Sequence, residues 1–289
     1  MKRIEILGCE NSHADAFHAC IRDRAEFSDI EVVGIYSNES DAAARLHQSF
    51  GVPILEHYTD AVGKIDGLVI TARHGDNHYK YAAPYIDSGI PMFIDKPITN
   101  REEEAILFMR ELREHSVRIS GGSSLKQDSL VQTLVKEARD KVGGGTIGGY
   151  VRAPYEGESP YGGFFFYAQH LIEIVCEIFG HHPASVSARK TAEQIQVIFH
   201  YEGYDVLGLF CNNNYYYHAC LMSERGASGG EIVATGEWFE REFNEFCELL
   251  AGDEQQVSYE EFIVPVFIMN AISRSLASGK EEKVGEVVL

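Results

Sequence analysis

Between residues 1 and 120, short apolar runs alternate with stretches whose apolar residues recur every three to four positions. No other feature of the chain constrains its fold as strongly. Ile4–Leu7, Glu31–Tyr36, Gly67–Thr71, Met92–Asp95 and Val117–Ser120 read as strands, with Pro53–Leu55 as a further short one. Ala14–Ala25, Asp41–Phe50 and Tyr79–Ser88 read as helices, the last bent at Pro84 and closed by Gly89. Ser40 is the expected N-cap of the second helix, and Thr99-x-x-Glu102 a capping box that opens a helix to about Glu114. Apolar strands of this kind are buried on both faces, and strands alternating with helices form βαβ units. Right-handed crossovers then leave a doubly wound parallel sheet.

After Gly121-Gly122 the texture changes. Ser129–Lys141 is one more helix, and nearly half of the aromatic residues lie between Tyr150 and Tyr217. Ser185–Arg189, Gln194–Tyr201, Asp205–Phe210 and Tyr215–Ser223 read as strands joined by tight turns such as Glu202-Gly203. Helices are expected at about Gln169–Phe179, Trp238–Leu250 and Glu261–Ala277, the last behind the capping box Ser258-x-x-Glu261. The expected fold class is therefore α/β, in two domains. Residues 1–120 are expected to form a Rossmann-like, doubly wound domain. Residues 121–289 form a substrate-binding and oligomerisation α+β domain with an open, mostly antiparallel sheet. An open aromatic-rich face invites either substrate or a second subunit, and a homodimer or homotetramer through that sheet is the expectation. The acidic stretch from Glu231 to Glu261 reads as a solvated helix face.

Composition narrows the partners. The 289 residues carry a formal charge of −19. A surface that acidic repels phosphate backbones and anionic lipid, so neither nucleic acid nor membrane is an expected partner. The amino-terminal apolar run is too short for a signal peptide, and the six cysteines contain no C-x-x-C pair. Both point to a reduced, cytoplasmic compartment. His74-x-x-x-His78 has no carboxylate or cysteine to complete a metal set, so no metal is expected.

Ligands of open parallel sheets bind outside the carboxyl ends of the strands. Four loops qualify. The first, Gly8-Cys9-Glu10-Asn11-Ser12-His13, keeps only the first glycine of the G-x-G-x-x-G fingerprint. Glu10 stands where a glycine would admit a pyrophosphate, and Asn11 and Ser12 are candidate helix caps. Ser37-Asn38 offers neither an acid for a ribose nor an arginine for a 2′-phosphate, so NAD and NADP both stay open. Thr71–His78 is the third loop. Asp95-Lys96-Pro97 is the fourth: a lysine at the sheet edge can serve as general acid or base, although a solvated turn lysine fits the same spacing.

The loop at Gly8, the stretch Thr71-Ala72-Arg73-His74 with His78, and Phe93-Ile94-Asp95-Lys96-Pro97-Ile98-Thr99 together resemble the Gfo/Idh/MocA family of NAD(P)-dependent oxidoreductases. The Asp95-Lys96-Pro97 piece is similar to that family's Glu-Lys-Pro signature. Gly162-Gly163, His170-Leu171-Ile172-Glu173 and Phe179-Gly180 also match, so the resemblance spans essentially the whole chain. It implies Lys96 and His170 as the catalytic pair. It implies cofactor contacts from Gly8, Asn11, Ser12, His13, Ser37, Asn38, Thr71, Arg73, His78, Asp95 and Lys96. Lys96, Arg152, Tyr161, Gln169 and His170 are the expected substrate contacts. Hydride transfer between NAD or NADP and a sugar, inositol or related polyol is the implied activity. Phe166 stands where the family often has an aspartate, four residues before the histidine, so Glu173 or Tyr167 is the candidate relay partner of His170. Two alternatives remain: a same-fold lyase or glycosidase with transient cofactor use, and a cofactor-less sensor or scaffold.

Overall fold

The computed structural model describes residues 1–233 and 235–289. Its first half holds β1 (Lys2–Leu7), α1 (Ser12–Asp23), β2 (Ile30–Tyr36), α2 (Ser40–Phe50), β3 (Gly67–Ile70), α3 (Asp76–Ala82), β4 (Met92–Asp95), α4 (Glu102–Glu114) and β5 (Ile119–Gly122). The five strands form one parallel sheet in the order β2-β1-β3-β4-β5. Their apolar runs are buried on both faces, as in β3 and β4, where every residue is buried.

Four local expectations differ from the structure. Pro53–Leu55 makes only an isolated bridge, Ile54 to Ile35, beyond the β2 edge, because Pro53 has no N–H to extend a ladder. Glu39, not Ser40, occupies the N-cap of α2. The Thr99 hydroxyl turns back to the Arg101 carbonyl, and Glu102 pairs with Arg274 at 2.7 Å, so no capping box opens α4. The third helix starts earlier, at Asp76, and continues as a 3-10 turn, Ala83–Ser88, that takes Pro84 at its start.

The second half holds α5 (Ser129–Arg139), β6 (Thr146–Tyr155), α6 (Phe164–Phe179), β7 (Ser185–Lys190), β8 (Gln194–Tyr201), β9 (Tyr204–Asn212), β10 (Tyr217–Ser223), β11 (Gly226–Ile232), α7 (Glu237–Ala251), α8 (Tyr259–Ser278) and β12 (Glu282–Lys283). The strands form a second sheet, β11-β10-β6-β9-β8-β7-β12, antiparallel except for the β6–β9 pair. The capping box of α8 is present: Ser258 Oγ accepts from Glu261 N at 3.1 Å, and the Glu261 carboxylate accepts from Ser258 N. β6 and β11 carried no strand signal, since Gly148, Gly149 and Pro154 interrupt one and glycines fill the other. Gly149 is small because a side chain there would strike the Cys220 carbonyl and the Phe179 ring.

Helix α6 is buried along most of its length, and one apolar core runs from Ile94 and Ile98 at the first sheet through Leu171 and Val175 to Val151 and Phe199 of the second. The candidate site is therefore seated on a single packed body. Helix α7 returns to pack on α1. It is not a wholly solvated face: Glu242 is fully buried, held by the side of α7 that also carries buried Trp238 and Phe243. None of the helices among the described residues is long and apolar enough to cross a membrane.

Candidate active site

The carboxyl end of β4 places Lys96 at the floor of a cavity of about 420 Å³. Asp95 is fully buried and accepts from Lys96 N at 2.6 Å and from Asn11 Nδ2 at 2.5 Å. These bonds join the strand end to the start of α1, whose N-cap is Asn11; its Oδ1 accepts from Ser12 N. The lysine side chain crosses to α6. Its Nζ donates to the Phe166 carbonyl at 3.4 Å and lies 4.6 Å from the Phe166 ring centre. Burial lowers the Lys96 pKa, and the Asp95 carboxylate works against that.

His170 faces Lys96 from α6. Its Nδ1 shares a 2.6 Å hydrogen bond with Ser123 Oγ, leaving Nε2 for the cavity. Burial, reinforced by the Lys96 charge, holds the imidazole well below its ordinary pKa. The ring is therefore neutral at physiological pH and can accept a proton. Neither Glu173 nor Tyr167 bonds to it. Glu173 accepts from Ser123 N at 2.9 Å and from Gln169 Nε2 at 2.5 Å, so it acts on the ring only through Ser123. Tyr167 lies edgewise nearby, ring centres 5.6 Å apart.

Of the expected contacts, Asn11, Ser12, His13, Arg73, Lys96, Tyr161 and His170 line this one cavity. The others sit elsewhere. Gly8 has φ 82° and packs on the Ala72 backbone, and Thr71 Oγ1 donates to the Gly8 carbonyl. Both hold β1 against β3. His78 does not line the cavity: it is fully buried and donates from Nε2 to the Ala72 carbonyl. Asn38 accepts from the Tyr36 hydroxyl at the surface. Gln169 bridges Ile98 N and Glu173, out of reach of the cavity. Arg152 lies outside as well, donating to the Tyr216 carbonyl and to Asn214 Oδ1. Tyr167 lines it too, and residues that carried no signal complete the walls: Ser124, Leu125, Glu156, Tyr217, Trp238 and Phe239. Their elements are separated in sequence, and α7 reaches the site only by packing back on α1.

A second cavity of about 480 Å³ lies beside the first. The two share Asn11, Ser12 and Arg73, so a ligand filling both must cross the α1 N-terminus and the Arg73 guanidinium. That joint supplies helix-end N–H groups and a cation, which suits a pyrophosphate. Glu10 does not leave a bare carboxylate at the joint. Its oxygens accept from Ser37 Oγ at 2.6 Å and from Arg73 N at 3.1 Å. Glu39, Asp41 and Asp15 line the outer cavity with Arg45, which is paired to Asp15, so its carboxylates can accept ribose hydroxyls. The residues present thus fit a dinucleotide.

Residues 2–123 match the GFO_IDH_MocA family, described as an oxidoreductase family with an NAD-binding Rossmann fold. This part of the chain resembles that family. Solved structures of that shape match over almost the full length. A myo-inositol dehydrogenase from Corynebacterium glutamicum superposes with TM-score 0.83 at 15% identity, covering 99% of each chain. A scyllo-inositol dehydrogenase from Lactobacillus casei, with bound NAD(H) and scyllo-inositol, gives 0.85 at 14%, covering 98% of this chain and 99% of that one. An oxidoreductase from Agrobacterium radiobacter, in complex with NAD+, L-tartaric acid and magnesium, gives 0.79 at 12%, covering 98% of each. Identities this low establish a shared fold and nothing finer. No curated protein matches the sequence.

Proposed function

We propose that the chain is a dehydrogenase that uses NAD rather than NADP and acts on a hydroxyl or carbonyl of a small polyhydroxylated substrate. The observation that carries this reading is the placement of Lys96 and neutral His170 in one aromatic-walled cavity that adjoins a second cavity across Arg73. When bound, the dinucleotide would supply the hydride acceptor. Asn11, Ser12 and Arg73 would hold its phosphates, and Glu39 with Asp41 its adenosine ribose. In the oxidising direction, His170 Nε2 takes the proton of the substrate hydroxyl while Ser123 keeps the ring oriented. Lys96 donates a hydrogen bond to the same oxygen and stabilises charge as it develops there. Tyr167, Tyr217 and Trp238 offer apolar faces to the CH groups of a polyol ring and keep bulk water out. Phe166 leaves the relay intact because Ser123 partners the imidazole.

The test is calorimetric titration of nucleotide-free protein with NADH and NADPH, followed by a polyol and sugar screen. Micromolar NADH binding, at least about tenfold weaker NADPH binding and loss of turnover in Lys96→Ala with NADH affinity retained are expected. Folded protein that binds neither nucleotide would overturn the reading.

A further inference from the structure

Behind Lys96, three buried titratable groups from three elements lie in a row. His13, on α1, has Nδ1 3.1 Å from Asp95 Oδ2 and Nε2 3.2 Å from Glu242 Oε2. The ring is 3% exposed and both carboxylates are 0% exposed. The two contacts are within reach but off the ideal hydrogen-bond line, and neither ring nitrogen nor Glu242 oxygen has another partner among the described residues. Phe17, Phe93 and Phe239 surround the imidazole, with ring centres 5.8, 6.2 and 4.8 Å away, and leave only its edge at the cavity wall. Two dry carboxylates and one imidazole cannot all be ionised there.

One placement of protons pairs both ring nitrogens of His13. Glu242, as a carboxylic acid, donates to His13 Nε2. His13 Nδ1–H donates to Asp95. Asp95, ionised, also accepts from Asn11 and from Lys96 N. We propose that Glu242, His13 and Asp95 form a buried proton relay that keeps Asp95 ionised beside Lys96 and so sets the lysine's charge from behind. Glu242 and His13 are then positioning residues; only the use made of Lys96 rests on the dehydrogenase reading. Glu245, on the same helix, and Glu173 oppose a charge on Glu242, whereas Lys126 favours one; Arg73 and Glu156 face Lys96 from the cleft. Burial pushes the Glu242 carboxyl well above its ordinary range and holds the His13 imidazole below its own. Burial also raises Asp95, to about 6, so it is ionised at neutral pH. The relay further ties the charge of Lys96 to α7, which contributes Trp238 and Phe239 to the cavity wall.

The test needs no substrate. Nitrogen-15 spectra of histidine-labelled protein report the tautomer of His13, and carbon-13 dimethylation of lysines reports the titration of Lys96. The relay requires a neutral His13 protonated at Nδ1 between pH 6 and 8, as the imidazole donates to Asp95. Glu242→Gln, whose amide replaces the acid as donor, leaves both signals within about 0.3 pH unit of wild type. His13→Leu removes the donor to Asp95, so Asp95 protonates more readily and the Lys96 titration moves down by about one pH unit. An imidazolium at pH 7 in wild type, or an unmoved Lys96 titration in folded His13→Leu, overturns the proposal. Should His13→Leu not fold, Glu242→Leu decides: loss of the pure Nδ1–H tautomer supports the relay, and an unchanged His13 spectrum overturns it. Both spectra are read without turnover, so the relay stands or falls separately from the dehydrogenase reading.

Discussion

A single buried proton on Glu5 illustrates how residue-scale chemistry sets the behaviour of this chain. Glu5 lies fully buried on β1, where burial raises its pKa to about 8. Tyr85 supplies the geometric counterpart. Its hydroxyl faces both a Glu5 oxygen and the Tyr58 carbonyl at 2.8 Å but has only one proton to donate. A protonated Glu5 resolves this by donating to Tyr85, which then donates to Tyr58. The folded protein thus holds a proton that the unfolded chain releases above about pH 4.5. Stability falls as pH rises from about 4.5 to 8 and levels off above. Glu5→Gln is expected to match wild type near pH 4 and to exceed it at pH 9 by roughly 2–4 kcal/mol. Urea unfolding at the two pH values reads this directly, and an equal pH slope in both proteins would sink the assignment. In the sequence, Glu5 is only an acid interrupting an apolar strand, and nothing near it in the chain marks it as protonated.

At the scale of elements, most of what places the site was legible. The apolar runs gave β1, β2, β3 and β4 nearly in register, because strands buried on both faces must be apolar throughout. Caps were less legible. Ser258 and Glu261 form their box, whereas Glu102 is drawn to Arg274 on another helix, a partner that no local window contains. Gly8 marks where elements meet. Its φ is 82°, and a Cβ would collide with the Ala72 backbone as β1 leaves the sheet beside β3. Gly8→Ala is therefore expected to destabilise by about 2–4 kcal/mol, from left-handed strain plus overpacking. Chemical denaturation measures it; a loss under about 0.5 kcal/mol would show that the two strand ends can separate freely.

For the whole molecule, the outer face of the second sheet is the feature that still needs a partner. Cys220, Tyr150, Leu207 and Ile198 sit side by side on neighbouring strands, and all four are at least partly exposed. With Met222, 40% exposed, they make an apolar band across β10, β6, β9 and β8. A second copy of the chain on that face is the expected cover, giving a homodimer or homotetramer. Light scattering at micromolar concentration should report a mass of two or four chains, and a monomer there would rule this out.

The sequence by itself determined the parallel-sheet half, the change of texture after Gly121-Gly122, and the candidacy of Lys96, each written in local periodicity or in residues at a strand end, where short-range physics decides. His170 was singled out only through the family resemblance. Only the tertiary structure decided that Ser123 partners His170, that Arg73 joins two cavities, and that His78, Gln169 and Arg152 stay out of the cleft. It alone also took Glu242 from an acidic run and sealed it against His13. The physical reason is common to all four. Burial and hydrogen-bond partnership belong to pairs of groups far apart in the chain, and a carboxylate's protonation follows from what surrounds it, not from its neighbours in sequence.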